Sequence, residues 1–134
     1  MNKITIKILA TQTRKEIGRT TKYSLTEYVN SLGYKVTYSK HISTAYLDKN
    51  DNTVYIPITN EEFTLKMLAH ELGHLKLSHH CIFVNDTVRH ESEADYFAYC
   101  LLKINYKYKT ALVILSVFCC SLMAFALLVT QTII

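Results

Sequence analysis

Lys3 to Ile8 alternates Lys or Thr with Ile, a period of two that predicts a strand, with an amphipathic helix as the other reading of the same residues. Ser24 followed three residues later by Glu27 is a capping-box pattern, opening a short helix to Leu32 that Gly33 ends. Tyr34 to Tyr38 alternates as a strand. Thr44 to Leu47 and Thr53 to Ile58 are β-rich runs on either side of Asp48-Lys-Asn-Asp-Asn52, a predicted hairpin loop. Pro57 has no N–H to give a ladder, which predicts that Thr53 to Ile58 is an edge strand where an extended substrate could add.

Thr59 or Asn60 caps the next predicted helix, with Glu61 and Glu62 in its first turn where carboxylates suit the helix dipole. The helix runs to about Ser78. Leu65, Leu68, Leu72 and Leu75 form one apolar face, and Phe63, Met67 and Leu77 form another. Glu62, Lys66, Gly73 and Lys76 make the remaining polar stripe. After a loop from about Cys81 to Asn85, Asp86 caps a further helix through Leu102.

His70-Glu-Leu-Gly-His74 sets two imidazoles at i and i+4 on one helix face, where both can ligate a single zinc ion with Glu71 alongside. Hydrolytic zinc takes a third protein ligand and leaves one position to water, whose pKa it lowers towards roughly 7. Glu71 is the expected base, taking that water's proton and passing it to the leaving amine. Residues farther along the same helix move away at about 1.5 Å each, so the third ligand must come from elsewhere. The following helix offers Glu91, which shares a face with Ala94, Asp95 and Ala98, two alanines small enough for close packing. Asp95 would then hold the free ring nitrogen of His70 or His74. Glu93 points elsewhere. His90 is turned about 100° from Glu91, and a one-residue shift of the helix boundary would exchange their roles.

Other readings compete. His80 stands where the third histidine of HExxHxxGxxH would be, but Leu77 replaces that motif's glycine, and no methionine follows in a Met-turn because Met123 lies in an uncharged tail. His79, His80 and His41 read as surface or loop histidines. Two histidines on a helix by coincidence is the plain alternative to a metal site; a second helix delivering a carboxylate with an i+4 partner argues against it. For the oxyanion stabiliser, Tyr96, Tyr99, His79 and other tyrosines are all available.

Through Ala69-His-Glu-Leu-Gly-His-Leu75 and Glu91-Ser-Glu-Ala-Asp-Tyr-Phe-Ala98, the chain resembles the ImmA/IrrE family of metallopeptidases over approximately Ser24 to Leu102. The second segment is the narrower match. The resemblance implies that His70, His74 and Glu91 bind zinc in a gluzincin-like site and that Glu71 is the general base. It further implies a protein substrate, a helix-turn-helix repressor of a mobile element or of stress-response genes. The chain departs from the pattern in showing no helix-turn-helix segment of its own, in Leu102-Lys-Ile where Leu-Met-Pro is common, and in its tail.

The 134 residues, 49% hydrophobic and 19% charged, suit one packed domain. All 15 Lys and Arg and all 11 Asp and Glu lie at or before Lys109, so the net charge of +4 belongs to that part. Scattered among acidic residues, it argues against direct nucleic-acid binding. Cys81, Cys100, Cys119 and Cys120 have no CxxC spacing and predict no disulfide framework. Met1 to Ala10 does not resemble a secretory signal. Ala111 to Val129 is nearly continuous apolar sequence, and with Thr130 to Ile134 it reaches the roughly 20 residues that span a bilayer. Lys103, Lys107 and Lys109 precede it, predicting a single-pass anchor with the catalytic part in the cytoplasm. A buried core helix is the alternative.

The expectation is an α+β fold, a small mixed or antiparallel sheet packed on two metal-binding helices, with a zinc metallopeptidase domain over residues 1–109 and a transmembrane helix over 110–134. The predicted activity is zinc-dependent endopeptidase action on a protein. A non-catalytic, zinc-binding, membrane-associated regulatory module is the competing function.

Overall fold

Lys3–Ile17 is helical (α1) in the computed structural model, which describes residues 1–79 and 87–102. The helical reading of this segment therefore holds and the strand reading does not. Asn2 caps it, its side-chain oxygen accepting from the Ile4 N–H at 3.0 Å, and Gly18 closes it at φ 75°. Ile6, Ala10 and Thr13, at i, i+4 and i+7, make one buried line. Ile4 and Ile8, which a period of two would place with Ile6, are 66% and 62% exposed.

Lys22–Ser31 forms α2, and its capping box lies three residues earlier than the sequence pattern suggested. Thr21 Oγ1 accepts from the Ser24 N–H at 3.1 Å, and Ser24 Oγ accepts from the Thr21 N–H at 2.9 Å. Ser24 is thus the inner partner of the box, and Glu27 has no part in it. Gly33, at φ 87°, turns the chain out of the helix in a conformation that a side chain would strain.

The strands are Lys35–Ser39 (β1), Tyr46–Asp48 (β2) and Thr53–Pro57 (β3), in the order β1-β3-β2. β1 runs parallel to β3, with Val36 opposite Val54, and β2 runs antiparallel to β3, with Tyr46 opposite Tyr55. The Asp48 to Asn52 hairpin loop is present as predicted. The edge assignment of β3 is overturned, because β3 is the central strand. Lys35 N–H donates to the Asn52 carbonyl and Ile58 N–H to the Ser39 carbonyl, each at 2.9 Å, so even-numbered positions here bond towards β1. Pro57 therefore turns its missing donor towards β2, whose ladder has already ended at Tyr46. No extended peptide can add alongside β3; the free edges belong to β1 and β2.

Glu61–Lys76 is α3, capped by Asn60, whose Oδ1 accepts from the Phe63 N–H at 2.8 Å. It stops two residues before the predicted Ser78, which adopts φ 58°. Residues 87–102 form a fourth helix, α4. Among the described residues the architecture is thus α+β, four helices with one three-stranded mixed sheet. Leu25 and Val29 of α2, Val54 and Ile56 of β3, Leu68 and Leu72 of α3, and Phe97 and Leu101 of α4 share one core. Each such side chain contributes about 1.5–3 kcal/mol through burial. Met1–Leu102 is one compact unit.

His80, the loop Cys81 to Asn85, the Asp86 cap and the apolar tail with Cys119 and Cys120 lie outside the described residues. Among the described residues, no helix is long and apolar enough to cross a membrane.

Candidate metal centre

α3 approaches α4 closely at Gly73, which faces the backbone of Ala94 and the ring of Phe97. Gly73, expected on a polar stripe, is instead buried against α4, and a Cβ there would stand 3.1 Å from both the Cα and the carbonyl oxygen of Ala94. Ala94, which faces Gly73, and Ala98 are both buried. A glycine facing an alanine lets the backbones approach closely, which carries the next turn of α4 over the two histidines of α3.

His70 and His74 face each other Nε2 to Nε2 at 3.0 Å. Glu91 reaches both, Oε2 standing 3.2 Å from His70 Nε2 and Oε1 3.4 Å from His74 Nε2. One ligand atom from each of the three residues lies within 4.8 Å of the others, so the group could hold a metal ion. Asp95 Oδ1 lies 2.9 Å from His70 Nδ1. Because an ionised carboxylate only accepts, His70 donates from Nδ1, and in the neutral ring that leaves Nε2 as the ligating atom. In that form the Nε2 atoms of His70 and His74 and the carboxylate of Glu91 converge as two nitrogen donors and one oxygen donor, a set that a single cation can take. The donor set fits a metal ion on this ground.

Of the alternatives left open by the sequence, Glu91 rather than His90 joins the histidine pair, and Asp95 serves His70 rather than His74. His90 is buried and its ring centroid lies 4.4 Å from that of His79. His79 is the residue the sequence reading missed. It was read as a surface or loop histidine, and it does lie in the turn after α3, yet its side chain is only 4% exposed. His79 Nδ1 stands 3.1 Å from His74 Nδ1, and its Nε2 stands 3.1 Å from Glu93 Oε2. Glu93 points away from the ligand cluster, as expected, but to a buried partner. Its other oxygen meets the amino group of Met1. No spacing rule relates His79 to His74, because the chain leaves the helix between them.

Glu71 is buried at the base of the cluster, and it makes no hydrogen bond among the described residues. Burial pushes its carboxyl up to about 7, with His70 opposing and Glu91 reinforcing the shift. It opens into a cavity of about 250 Å3 lined by Thr44, Ala45, Phe63, Lys66, Met67, His70 and Asp95 beside Glu71 itself. Tyr96, Tyr99 and His79 are not among those lining residues. Burial, with His70 beside it, holds His74 down to about 4, so the ring is neutral and free to ligate. His79 is lowered by burial against the opposing hydrogen bond from Glu93. Burial works to raise Glu93, but hydrogen bonds from the Met1 amino group and His79 outweigh it and lower that carboxyl.

No family model matches the chain, and no curated protein does. Among solved structures, the fold is similar to that of a Mycobacterium tuberculosis transcriptional regulator, at a TM-score of 0.62 and 16% identity. The match covers 72% of this chain and 35% of the regulator, so this chain spans about a third of that protein's length. At such identity the likeness establishes a shared fold: an α+β unit that carries, in this chain, a His70–His74–Glu91 cluster able to hold a metal ion.

Proposed function

We propose that this chain is a zinc-dependent endopeptidase of the ImmA/IrrE type that cuts a protein substrate. The observation carrying this reading is the convergence of two imidazoles and one carboxylate beside a buried Glu71 that opens into a cavity. The two Nε2 atoms stand 3.0 Å apart and the Glu91 carboxylate lies 3.2 and 3.4 Å from them, near enough for all three residues to hold one ion. Glu91, half exposed, leaves one side of the cluster open to substrate.

Zinc held by His70, His74 and Glu91 would polarise the scissile carbonyl and bring the pKa of water towards neutrality. Glu71 takes the proton of the attacking water and delivers it to the leaving nitrogen; its raised pKa suits a group that must both accept and release a proton near neutral pH. Asp95 orients His70. The Phe63, Met67 and Ala45 walls receive an apolar side chain of the substrate and keep water from the reacting bond.

The family resemblance makes a helix-turn-helix repressor the proposed substrate, and the fold shared with a transcriptional regulator is in keeping with a role in transcriptional control. The uncharged segment Thr110 to Ile134 anchors the protein in the membrane with its catalytic unit on the cytoplasmic side.

The test is to measure zinc bound by the full chain and incubate it with repressors encoded beside it. Glu71→Gln should keep its zinc and lose about 10²- to 10⁴-fold in cleavage rate. His70→Ala and Glu91→Ala should lose the metal itself. Undiminished cleavage by Glu71→Gln overturns the mechanism. Zinc binding by the wild type without cleavage of any neighbouring repressor favours a regulatory zinc-binding module instead.

A further inference from the structure

His70 and His74 are held from behind in different ways. Asp95, 66% exposed, accepts directly from His70. Behind His74 stands a second imidazole, and behind that a carboxylate, both shielded from solvent: the side chains of His79 and Glu93 are 4% and 11% exposed. The backbone makes a costly conformation to achieve this. Ser78 takes φ 58°, a region that a residue with a Cβ rarely adopts, and the turn it makes brings His79 back under the end of α3.

The direction of this chain follows from what each atom can do. The Glu93 carboxylate only accepts, so the His79 nitrogen 3.1 Å away, Nε2, carries the ring's proton. A neutral imidazole protonated there has a lone pair at Nδ1. That lone pair faces His74 Nδ1 at 3.1 Å, so His74 donates from Nδ1. The remaining nitrogen of His74, Nε2, is left bare, facing His70 Nε2 and Glu91. Were His79 the other tautomer, His74 would have to accept at Nδ1 and would carry its proton on the nitrogen turned towards Glu91.

We propose that Glu93, acting through His79, is a positioning residue that fixes His74 in the tautomer whose Nε2 lone pair points into the ligand cluster. Its use for binding zinc rests on the metal-site reading above; the tautomer itself does not. Neither His79 nor Glu93 touches the cluster centre, so their influence passes wholly through His74.

The decisive measurement is the imidazole nitrogen NMR spectrum of the full chain, first without metal and then with zinc. His74 should be protonated at Nδ1 in both states, and His79 at Nε2. His79→Ala should weaken zinc binding about 10- to 100-fold in a chelator competition. His79→Asn should restore most of that loss, because its side-chain oxygen stands where Nδ1 was and still accepts from His74; a role in packing alone would give no such rescue. Glu93→Gln should leave His79 in a mixture of tautomers. A wild-type His74 protonated at Nε2 without metal overturns the proposal, as does zinc affinity within about twofold of wild type in folded His79→Ala. Should His79→Ala not fold, failure of His79→Asn to keep the Nδ1–H form of His74 overturns it equally. A wild type that takes no zinc refutes the metal site, while the metal-free spectrum still decides the tautomer.

Discussion

Asp95 shows how much a single exposed side chain can matter at a site. Two-thirds of it is in water, so its bond to His70 contributes little to folding, yet that bond decides which nitrogen of His70 is free. Asp95→Ala should therefore weaken zinc binding about 10- to 100-fold while changing stability by less than about 0.5 kcal/mol. Chelator competition and thermal melting of the same preparation check the pair of outcomes. The contact of Asp95 with His70 was legible because Glu91 and Asp95 lie one helical turn apart, and that relation survives any packing. His79 was not legible: its partners, His74 and Glu93, lie on two different helices, and only the turn at Ser78 makes it reach both.

At the scale of elements, the site depends on how closely α4 lies on α3. A methyl group at Gly73 would press on the Ala94 backbone at 3.1 Å, where no side-chain rotation can relieve it. Crowding of about 1–3 kcal/mol is offset by about 1 kcal/mol of helix propensity, so Gly73→Ala should cost up to about 2 kcal/mol, and it should also lower zinc affinity because α4 carries Glu91 and Asp95. Unchanged zinc affinity in a destabilised Gly73→Ala would show that the helix spacing does not set the site. The sheet is tied to α2 at another point, where Thr26 Oγ1 and Tyr38 Oη stand 2.7 Å apart. Burial raises the Tyr38 pKa above its ordinary value, the Thr26 bond opposing in part. The folded chain then keeps a proton that the unfolded chain loses from about pH 10 upward, so this contribution to stability is present below that pH and disappears as pH rises through the folded pKa. Tyr38→Phe should lose stability less steeply than wild type between pH 8 and pH 11, as followed by urea midpoints. The strand order illustrates what local signals miss: Pro57 correctly reported a missing ladder bond, but the vacancy is only past the end of β2, inside a central strand.

For the whole molecule, the distribution of charge divides the chain more sharply than any fold boundary, since nothing after Lys109 is ionisable as Lys, Arg, Asp or Glu. If the tail is an anchor, the full chain should resist extraction by high salt and alkaline carbonate and dissolve in detergent, and truncation after Lys109 should yield a soluble protein that retains zinc. A full chain that is monodisperse without detergent would overturn the anchor.

By itself, the sequence determined whatever depends on residues one to four positions apart: the two imidazoles on one face, Glu91 and Asp95 on another, a helix cap at Thr59 or Asn60, the hairpin loop and the uncharged tail. Helical spacing enforces these relations wherever the helix lies. Only the tertiary structure decided what depends on contacts between elements. It made Lys3–Ile17 a helix, because a buried line at i, i+4 and i+7 met the core. It put β3 in the centre of the sheet and placed Gly73 against Ala94. It also drew His79 and Glu93 together behind His74, since a hydrogen bond between distant residues exists only once packing has brought both partners within reach.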